Sequence, residues 1–252
     1  MKILGIDTSE RNASAAILDT DIGVIGSVSV DLRAGGISHS EGLMSCMDFL
    51  LNAAGTHLRD IGLYALTIGP GSFTGLRIGL GTVKGFALAT GAPVCALSSL
   101  ECLAWNFPFS SHPVCALMEA RKGEVYAAVF KWKGEGKGEG KGFVAASAGI
   151  KTPGVYAVDR LPEFFIEGIG GIEGAIIFAG GGAVAHKKML ADALGDRAVF
   201  APTEMNRISP AVVARLALKR HMDGFCDDPA GLAPVYIKRP QAEETHRGTP
   251  AC

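Results

Sequence analysis

A glycine-rich run at residues 69–79 constrains the possible folds more than any other feature of this sequence. It reads Gly-Pro-Gly-Ser-Phe-Thr-Gly-Leu-Arg-Ile-Gly and lies between a predicted strand at 63–68 and a predicted helix at 74–90. Glycine and proline favour a tight strand–turn–helix connection, which leaves backbone N–H groups free at the helix start for an anion or a partner. The Gly-Lys-Ser/Thr ending of a Walker loop is absent, which argues against a P-loop NTPase.

The first third of the chain has the element order of an RNase H-like half. Strands are predicted at 2–6, 13–18 and 22–30, the last from alternating apolar residues that begin at Ile22 and Val24. A helix should begin after Ser38, which has capping-box spacing with Glu41. The order β-β-β-α-β-α-β-α predicts an N-terminal half at residues 1–108.

The rest of the chain predicts a second half, at residues 109–204. It contains predicted strands at 114–118 and 124–132, and a strand followed by one helix at 175–194. The predicted fold class is therefore α/β, with two tandem RNase H-like halves of the actin-like ATPase (ASKHA) type, each a mixed sheet with flanking helices.

Three further segments complete the predicted organisation. A helix at 209–223, capped by Ser209, is expected to complete the N-terminal half. The glycine repeat with alternating charges at 133–142 is expected to be a flexible loop. Residues 224–252 form the last part of the chain, and its end is expected to be disordered.

Charge and cysteine content exclude several classes of protein. The net charge of −1 over 252 residues gives no general attraction to nucleic acid or to an anionic membrane. The six cysteines contain no Cys-x-x-Cys pair, which favours reduced thiols over disulfides or zinc ligands. Without a signal peptide or an 18-residue apolar span, we expect a cytoplasmic protein that does not enter a membrane.

Two segments have the composition of phosphate-binding turns. Asp7, Thr8 and Ser9 follow the first strand, where the actin-like clan has its first phosphate loop, and Gly180, Gly181 and Gly182 follow a later strand. Both are candidate nucleotide contacts. An Asx turn explains the first segment equally well, and close helix–strand packing explains the second.

The chemistry of an enzyme is not complete in this sequence. The turn at 119–121 reads Glu-Ala-Arg, without the Asp-x-Gly that the clan uses as its second phosphate loop, so phosphoryl transfer is predicted to be impaired. No two histidines have the i, i+4 spacing of a helical metal site, and His39 is followed four residues on by Leu43. We predict no catalytic residue and no metal site.

The helix at 74–90 carries glycines in pairs, Gly75 with Gly79 and Gly81 with Gly85. Each interior glycine costs about 1 kcal/mol against alanine, so a close approach by another element should offset that cost. Either the protein's own sheet or another subunit could provide it, and we favour a subunit. An exposed Phe73 would suit the contact.

Several short motifs together resemble the TsaB (YeaZ) family. Besides the glycine run they are Ile-Asp-Thr-Ser at 6–9, His-Ser-Glu at 39–41, Ser-Ser-Leu at 98–100, Ala-Arg-Lys-Gly-Glu-Val-Tyr at 120–126 and Pro-Val-Tyr-Ile-Lys-Arg at 234–239. Glu119 stands where the family usually has aspartate, and the loop at 133–142 resembles an insertion.

The resemblance implies a non-catalytic partner in making threonylcarbamoyladenosine (t6A) in tRNA. It implies pairing with a TsaD-type transferase, which moves threonylcarbamoyl from its adenylate to the adenosine beside the anticodon. It also implies association with a TsaE-type ATPase through that pair, a homodimer when alone and only indirect contact with tRNA. No cofactor is expected on this chain alone, and any ATP or ADP with Mg²⁺ is expected at the joint between subunits. The implied interface residues are Phe73, Thr74, Leu76, Arg77 and Leu80.

Two other functions stay open. The first is an active ASKHA-type small-molecule kinase or ATPase that uses Asp7 and the glycines at 180–182. The second is a metallopeptidase, which would require a metal ion bound in stoichiometric amount.

Overall fold

The first sheet is a mixed sheet in which an antiparallel meander is extended by parallel strands. In the computed structural model, residues 1–121, 123–133, 142–145, 153–166 and 174–237 are described. The meander consists of β1 (Lys2–Asp7), β2 (Asn12–Asp19) and β3 (Gly23–Asp31), and the parallel strands are β4 (Ile61–Gly69) and β5 (Val94–Ser98). The strand order is β3-β2-β1-β4-β5, the arrangement predicted for an RNase H-like half.

The alternation predicted for β3 is wrong in its first part. A β-bulge leaves Ile25 without a ladder partner, because the register of β3 against β2 shifts there. As a result Ile25, Val28 and Val30 pack against the core, whereas Ile22 and Val24 are exposed. A bulge moves every preceding side chain to the opposite face, and simple alternation cannot reveal it.

Two long helices cover one face of this sheet. After the short α1 (Leu32–Gly35), α2 (His39–Ala53) and α3 (Phe73–Thr90) lie side by side and share one apolar core with β1, β2 and β4. The predicted capping box is confirmed, since Ser38 and Glu41 each accept from the other's backbone N–H. The short α4 (Ser99–Ala104) packs on the opposite face.

The second sheet repeats the topology of the first. Its strands are β6 (Val114–Glu119), β7 (Glu124–Lys133), β8 (Gly142–Ala145), β9 (Gly154–Ala157), β10 (Ile176–Ala179) and β11 (Ala198–Phe200). The order is β11-β10-β6-β7-β8, and β9 also pairs with β7. Because β8 pairs with the end of β7 and β9 with its start, these two short strands together occupy the place that β3 has in the first sheet.

The helix predicted after the glycine triplet is two helices. α5 (Leu161–Ile166) precedes β10, and α6 (Gly181–Ala185) and α7 (Lys187–Leu194) follow it. The backbone of His186 has φ −113° and ψ 18°, which ends α6 and starts α7. The prediction of one continuous helix is therefore wrong, although Leu190 packs in the second core as an apolar helix face should.

After the second half the chain returns to the first sheet as α8 (Pro210–Met222). The helix packs on the face opposite α2 and α3, so closely that a Cβ atom at Gly5 of β1 would clash with the carbonyl oxygen of Pro210. Ser209 occupies the N-cap position, but its side chain makes no capping hydrogen bond. The predicted apolar face is buried and consists of Val212, Val213, Leu216 and Ala217.

Residues 224–237, named here the C-terminal segment, cross the ends of β5 and β4. Asp227 N donates to Val94 O (2.8 Å), and Val235 N donates to Ile68 O (2.7 Å). The predicted flexible loop, apart from its ends at Lys133 and Gly142, and the predicted disordered tail beyond residue 237 lie outside the described residues. No helix in the described part of the chain is long and apolar enough to cross a membrane.

Candidate functional site

Most of the sequence motifs meet at one cleft between the two halves. The cleft has a volume of about 700 Å³. Five parts of the chain line it. They are the Asp7-Thr8-Ser9 turn (named here the first turn) with Ser9, the glycine run with Phe73, the 119–121 turn with Arg121, the glycine triplet with Gly181 and the C-terminal segment with Tyr236. We take this cleft and the adjoining start of α3 as the candidate functional site.

The Asp7-Thr8-Ser9 turn at this cleft is bonded into the fold. Asp7 Oδ1 accepts hydrogen bonds from Ser9 Oγ and Thr67 Oγ1, both at 2.6 Å, and Thr8 Oγ1 donates to Gly75 O at 2.8 Å. Among the described residues Asp7 Oδ2 has no hydrogen-bond partner, and burial raises the pKa of this carboxyl. The two hydroxyls are thus engaged inside the chain, and nucleotide binding by this turn stays a prediction.

The glycine run packs against that same turn. A Cβ atom at Gly71 would clash with Ser9 O, one at Gly75 with Thr8 O and one at Gly79 with Thr8 Oγ1. Ser72 N donates to Ser9 O (2.7 Å), and Gly75 N donates to Ser72 Oγ (3.2 Å). Two of the N–H groups predicted to be free at the start of α3 are therefore used within the protein.

Glu10 of the first half covers the glycine triplet of the second half. A Cβ atom at Gly181 would lie 3.1 Å from Glu10 Oε1, and Gly180 N donates to Asn206 Oδ1 at 2.9 Å. Burial, together with the nearby Asp7 carboxyl, raises the pKa of Glu10 to about 8. A carboxyl group therefore occupies the space in front of the loop that was predicted to receive a phosphate.

The charged side chains of the cleft are largely paired with one another. Arg11 lies 3.5 Å from Glu119 across the two halves, and Arg33 lies 2.6 Å from Asp31. Arg207, which follows the second half, also contacts Asp31. Hydrogen bonds from Arg33 and the charge of Arg207 hold the pKa of Asp31 well below its usual range. The arginines are therefore partly neutralised by carboxylates.

The predicted interface residues divide into an exposed and a buried group. Phe73, Thr74 and Arg77 are exposed at the start of α3. Leu76 and Leu80 are only 1% and 6% exposed, because they face the sheet under α3. The predicted interface is corrected accordingly: these two leucines belong to the protein's own core, and the surface that α3 offers begins with the other three residues.

Tyr236 of the C-terminal segment completes an aromatic cluster on α3. Its ring stacks on that of Phe73 with 5.1 Å between centroids. The Arg77 guanidinium lies 3.8 Å from the Phe73 ring centroid, and Arg77 Nε donates to Tyr236 Oη at 2.9 Å. Tyr236 belongs to the 234–239 motif of the family resemblance, but nothing in the sequence pattern predicted its contact with α3.

The outer side of α3 continues beyond that cluster as a surface of small and apolar residues. Gly81 and Gly85 are exposed, and a Cβ atom at either would meet no atom of the described ranges within 4 Å. Leu88 on α3 is 89% exposed, and Met44 and Phe49 on the neighbouring α2 are also exposed. We name these five residues the α2–α3 surface.

His39 lies at the start of α2 beside the glycine run. Its Nε2 atom is 2.9 Å from Glu10 O, so the ring bridges α2 to the first turn. In the described ranges no three side chains of His, Cys, Asp or Glu are arranged to hold a metal ion.

Comparisons with known proteins agree with the motifs. A family model described as TsaD, tRNA N6-adenosine threonylcarbamoyltransferase, matches residues 33–246. The "tRNA threonylcarbamoyladenosine biosynthesis protein TsaB" of Bacillus subtilis is 28% identical over 243 residues, which cover 96% of this chain and 96% of that protein. The Escherichia coli protein of the same name is 34% identical over 144 residues, covering 54% of this chain and 60% of its own length.

A solved structure supports the fold. YeaZ from Pseudomonas aeruginosa superposes with a TM-score of 0.73 at 24% identity, covering 93% of this chain and 99% of that one. The two tandem halves described above are therefore an arrangement already seen in an experimental structure.

Proposed function

The chain belongs to the TsaB (YeaZ) family, within the wider group matched by the tRNA N6-adenosine threonylcarbamoyltransferase model, and from this premise we propose that it is a non-catalytic partner subunit in t6A biosynthesis. In this proposal it pairs with a TsaD-type transferase, which moves threonylcarbamoyl from its adenylate to the adenosine beside the tRNA anticodon. The transferase carries out the chemistry, and this chain provides a surface that stabilises it.

The exposed glycine pair on α3 is the observation that carries the proposal. Gly81 and Gly85 each weaken the helix by about 1 kcal/mol relative to alanine, and no contact in the described chain offsets this. Gly75 and Gly79 differ, because their bare backbone admits Thr8. A helix of another subunit that packs closely over Gly81 and Gly85 would supply the missing contact, and exposed Leu88 would add apolar area beside it.

The arrangement at the glycine triplet supports the non-catalytic part of the proposal. Glu10 covers Gly181, so a phosphate there would meet a carboxyl group instead of free backbone. The hydroxyls of Thr8 and Ser9 are already hydrogen-bonded within the chain. An ASKHA-type kinase or ATPase would need all of these groups to be released, and for this reason it is the second candidate.

The other partners follow from the same proposal. A TsaE-type ATPase joins through the transferase pair, and ATP or ADP with Mg²⁺ binds at a joint between subunits. In the absence of the transferase, two copies of this chain use the α2–α3 surface as a homodimer. Contact with tRNA is indirect, in keeping with a net charge of −1 and with cleft arginines paired to carboxylates.

The test is binding of the full chain to the cognate TsaD-type transferase, followed by size-exclusion chromatography and calorimetry. Gly81→Glu places a charged side chain on the α2–α3 surface without an internal clash. Ala193→Glu is the matched control, because it adds the same charge to an exposed position of α7 in the other half. We expect Gly81→Glu to weaken binding at least tenfold and Ala193→Glu to leave it unchanged.

Two results would contradict the proposal. If the wild-type chain does not bind the transferase, the partner role fails. If the purified chain hydrolyses ATP, and Asp7→Ala abolishes the hydrolysis, the kinase or ATPase alternative replaces it. Circular dichroism and thermal unfolding of each variant show that the fold is retained.

A further inference from the structure

Two cysteines and a histidine come together where the C-terminal segment meets β5. Cys226 Sγ lies 3.1 Å from Nδ1 of His221, near the end of α8, and 4.0 Å from the Sγ atom of Cys95 in β5. Cys226 is exposed, whereas Cys95 is fully buried. None of the three residues lines the cleft, and the proposed function makes no use of them.

Cys226 has the surroundings of a reactive thiol. Thiolate is the nucleophilic form of cysteine, and an imidazole within hydrogen-bond distance can accept the thiol proton. The other cysteines in the described part of the chain lack access to solvent. Burial raises the pKa of each of their thiols, those of Cys46, Cys95, Cys102 and Cys115, so they stay protonated.

We propose that Cys226 is a peroxide-reactive thiol with His221 as its proton acceptor, and that Cys95 is the resolving thiol, so that a hydroperoxide converts the pair to an intramolecular disulfide. The site is a modification site separate from the α2–α3 surface, and it does not depend on the proposed function.

The chemistry balances in two steps. The thiol proton of Cys226 passes to His221 Nδ1, and the thiolate attacks one oxygen of the hydroperoxide. An S–O bond forms, the O–O bond breaks, and the departing oxygen takes the proton from His221. Cys95 Sγ then attacks the sulfenic sulfur of Cys226, an S–S bond forms, and the hydroxide leaves as water with the Cys95 proton. Two thiols are oxidised and one hydroperoxide is reduced.

The geometry allows the second step with a small movement. A disulfide needs sulfur atoms about 2 Å apart, so the Cys226 sulfur must approach by about 2 Å. Cys226 lies outside helices and strands, between Gly224, which has φ +83°, and the bridge that Asp227 makes to Val94. The nearby charged groups are Arg220 and Asp227, which lie 3.7 Å apart and offset one another.

Burial also determines which sulfur reacts first. It raises the pKa of Cys95 to about 12, and the Cys95 thiol donates a weak hydrogen bond to Phe225 O at 3.3 Å. Cys95 is thereby protected from direct oxidation. It becomes competent only when the neighbouring Cys226 sulfur has become electrophilic.

The experiment treats the reduced full-length chain with hydrogen peroxide and follows free thiols by alkylation and mass spectrometry. We expect a mass loss of two hydrogens and a linked peptide pair containing Cys95 and Cys226. In Cys95→Ser or Cys95→Ala, Cys226 should instead accumulate as sulfenic acid, which a dimedone reagent traps. Cys46→Ser is the matched control and should leave disulfide formation unchanged.

His221→Gln tests the proton acceptor. The variant removes the imidazole that lies 3.1 Å from Cys226 Sγ and accepts its proton, so it should lower the rate of peroxide consumption about tenfold. An unchanged rate in His221→Gln would overturn the assignment. So would oxidised Cys226 linked to Cys252 instead of Cys95, or a wild-type rate no faster than that of a free thiol such as glutathione.

Discussion

Glu10 has an environment that is unusual for a glutamate, because its carboxyl group lies at the glycine triplet of the second half. It follows the Asp7-Thr8-Ser9 turn and lies near the carboxyl of Asp7 and the backbone of Gly181. Glu119, Arg33 and Arg207 are further charged groups that act on it. Burial disfavours its charged form, and the negative charges of Asp7 and Glu119 outweigh the effect of Arg207. A neutral Glu10 can donate a hydrogen bond, whereas an ionised one cannot.

This environment predicts a pH-dependent stability. The pKa of Glu10 is raised from 4.5 to about 8 in the folded chain, so between these values the unfolded chain loses a proton that the folded chain retains. The contribution of Glu10 to stability is therefore fully present below pH 4.5 and is lost as the pH rises towards 8. The slope is at most about 1.4 kcal/mol per pH unit.

Glu10→Gln removes the titration while keeping the shape of the side chain. We expect the free energy of unfolding of the variant to depend less on pH between 5 and 8 than that of the wild type, measured by urea denaturation at several pH values. Glu163→Gln is the control, because Glu163 is exposed on α5. A wild-type profile that is flat over this range, or unchanged in Glu10→Gln, would contradict the interpretation.

Two glycines of α3 predict opposite effects of the same substitution. Gly75→Ala pushes a Cβ atom into the carbonyl oxygen of Thr8, and we expect a loss of about 1–3 kcal/mol in stability. Gly81→Ala adds a Cβ atom that meets no atom within 4 Å in the part of the chain that the structure describes, and we expect a gain of about 1 kcal/mol from helix propensity. Chemical denaturation of both variants measures the difference, and equal effects would show that the close approach at Thr8 is relieved by a backbone shift.

At the scale of elements, the C-terminal segment (residues 224–237) links the parallel strands to α3 through hydrogen bonds and a ring contact. Asp227 pairs with Val94 of β5, and Lys84 Nζ of α3 donates to Ala230 O at 3.2 Å. Farther along, Tyr236 stacks on Phe73. A segment without helix or strand structure of its own therefore joins the edge of the sheet to the helix proposed as a partner surface.

Asp227→Ala should release the start of this segment. Its Oδ2 atom accepts a 2.7 Å hydrogen bond from Ala96 N, and leaving that amide without a partner costs about 1–3 kcal/mol. Asp228→Ala is the control, since the Asp228 side chain accepts from Ala230 N and Gly231 N in an exposed turn and the substitution keeps its backbone oxygen. Hydrogen exchange of the Ala96 amide should accelerate in Asp227→Ala alone. Equal protection in both variants would contradict the proposal that Asp227 holds the C-terminal segment on β5.

At the scale of the whole molecule, local signals predicted the elements, and long-range contacts explain most of what they missed. The capping box at Ser38 depends on neighbouring residues, and it is present as predicted. The bulge at Ile25 depends on how β3 pairs with β2, and the break at His186 is a change of backbone conformation, and neither has a signal in the apolar pattern. The two tandem halves could be predicted because each repeats the same order of strands and helices.

The candidate site was predicted only in part, because several of its contacts join residues that are far apart in the sequence. The first turn and the glycine triplet were identified from composition, and both reach the cleft. The residues that fill the space between them, Glu10 and Asn206, carry no local pattern, because their function depends on a partner far along the chain. The burial of Leu76 and Leu80 could likewise not be read from spacing, since a helix residue faces either its own sheet or solvent.

Because α8 packs on the first sheet, the first half cannot fold completely without a helix that follows the second half in the chain. The helix follows the second half in the chain, yet it supplies one apolar layer of the first half, where Ala214 and Val213 are fully buried. Without α8, β1 and β4 would expose one apolar face to water. That exposure would destabilise the first half, because each Å² of buried apolar area contributes about 25 cal/mol. The N-terminal half is therefore completed by residues that lie beyond 109–204 in the sequence.

Truncation tests this dependence. A chain ending at residue 208 lacks α8 and the C-terminal segment, and we expect it to aggregate or to unfold without cooperativity in calorimetry. A chain ending at residue 237 is the matched control, because it keeps every contact described here. Adding a peptide of residues 207–224 to the shorter chain should restore part of the cooperative transition, since the vacant groove along β1 is shaped by Gly5 to accept this helix. If the shorter chain unfolds as cooperatively as the longer one, the first half is stable without α8 and its packing against β1 contributes little.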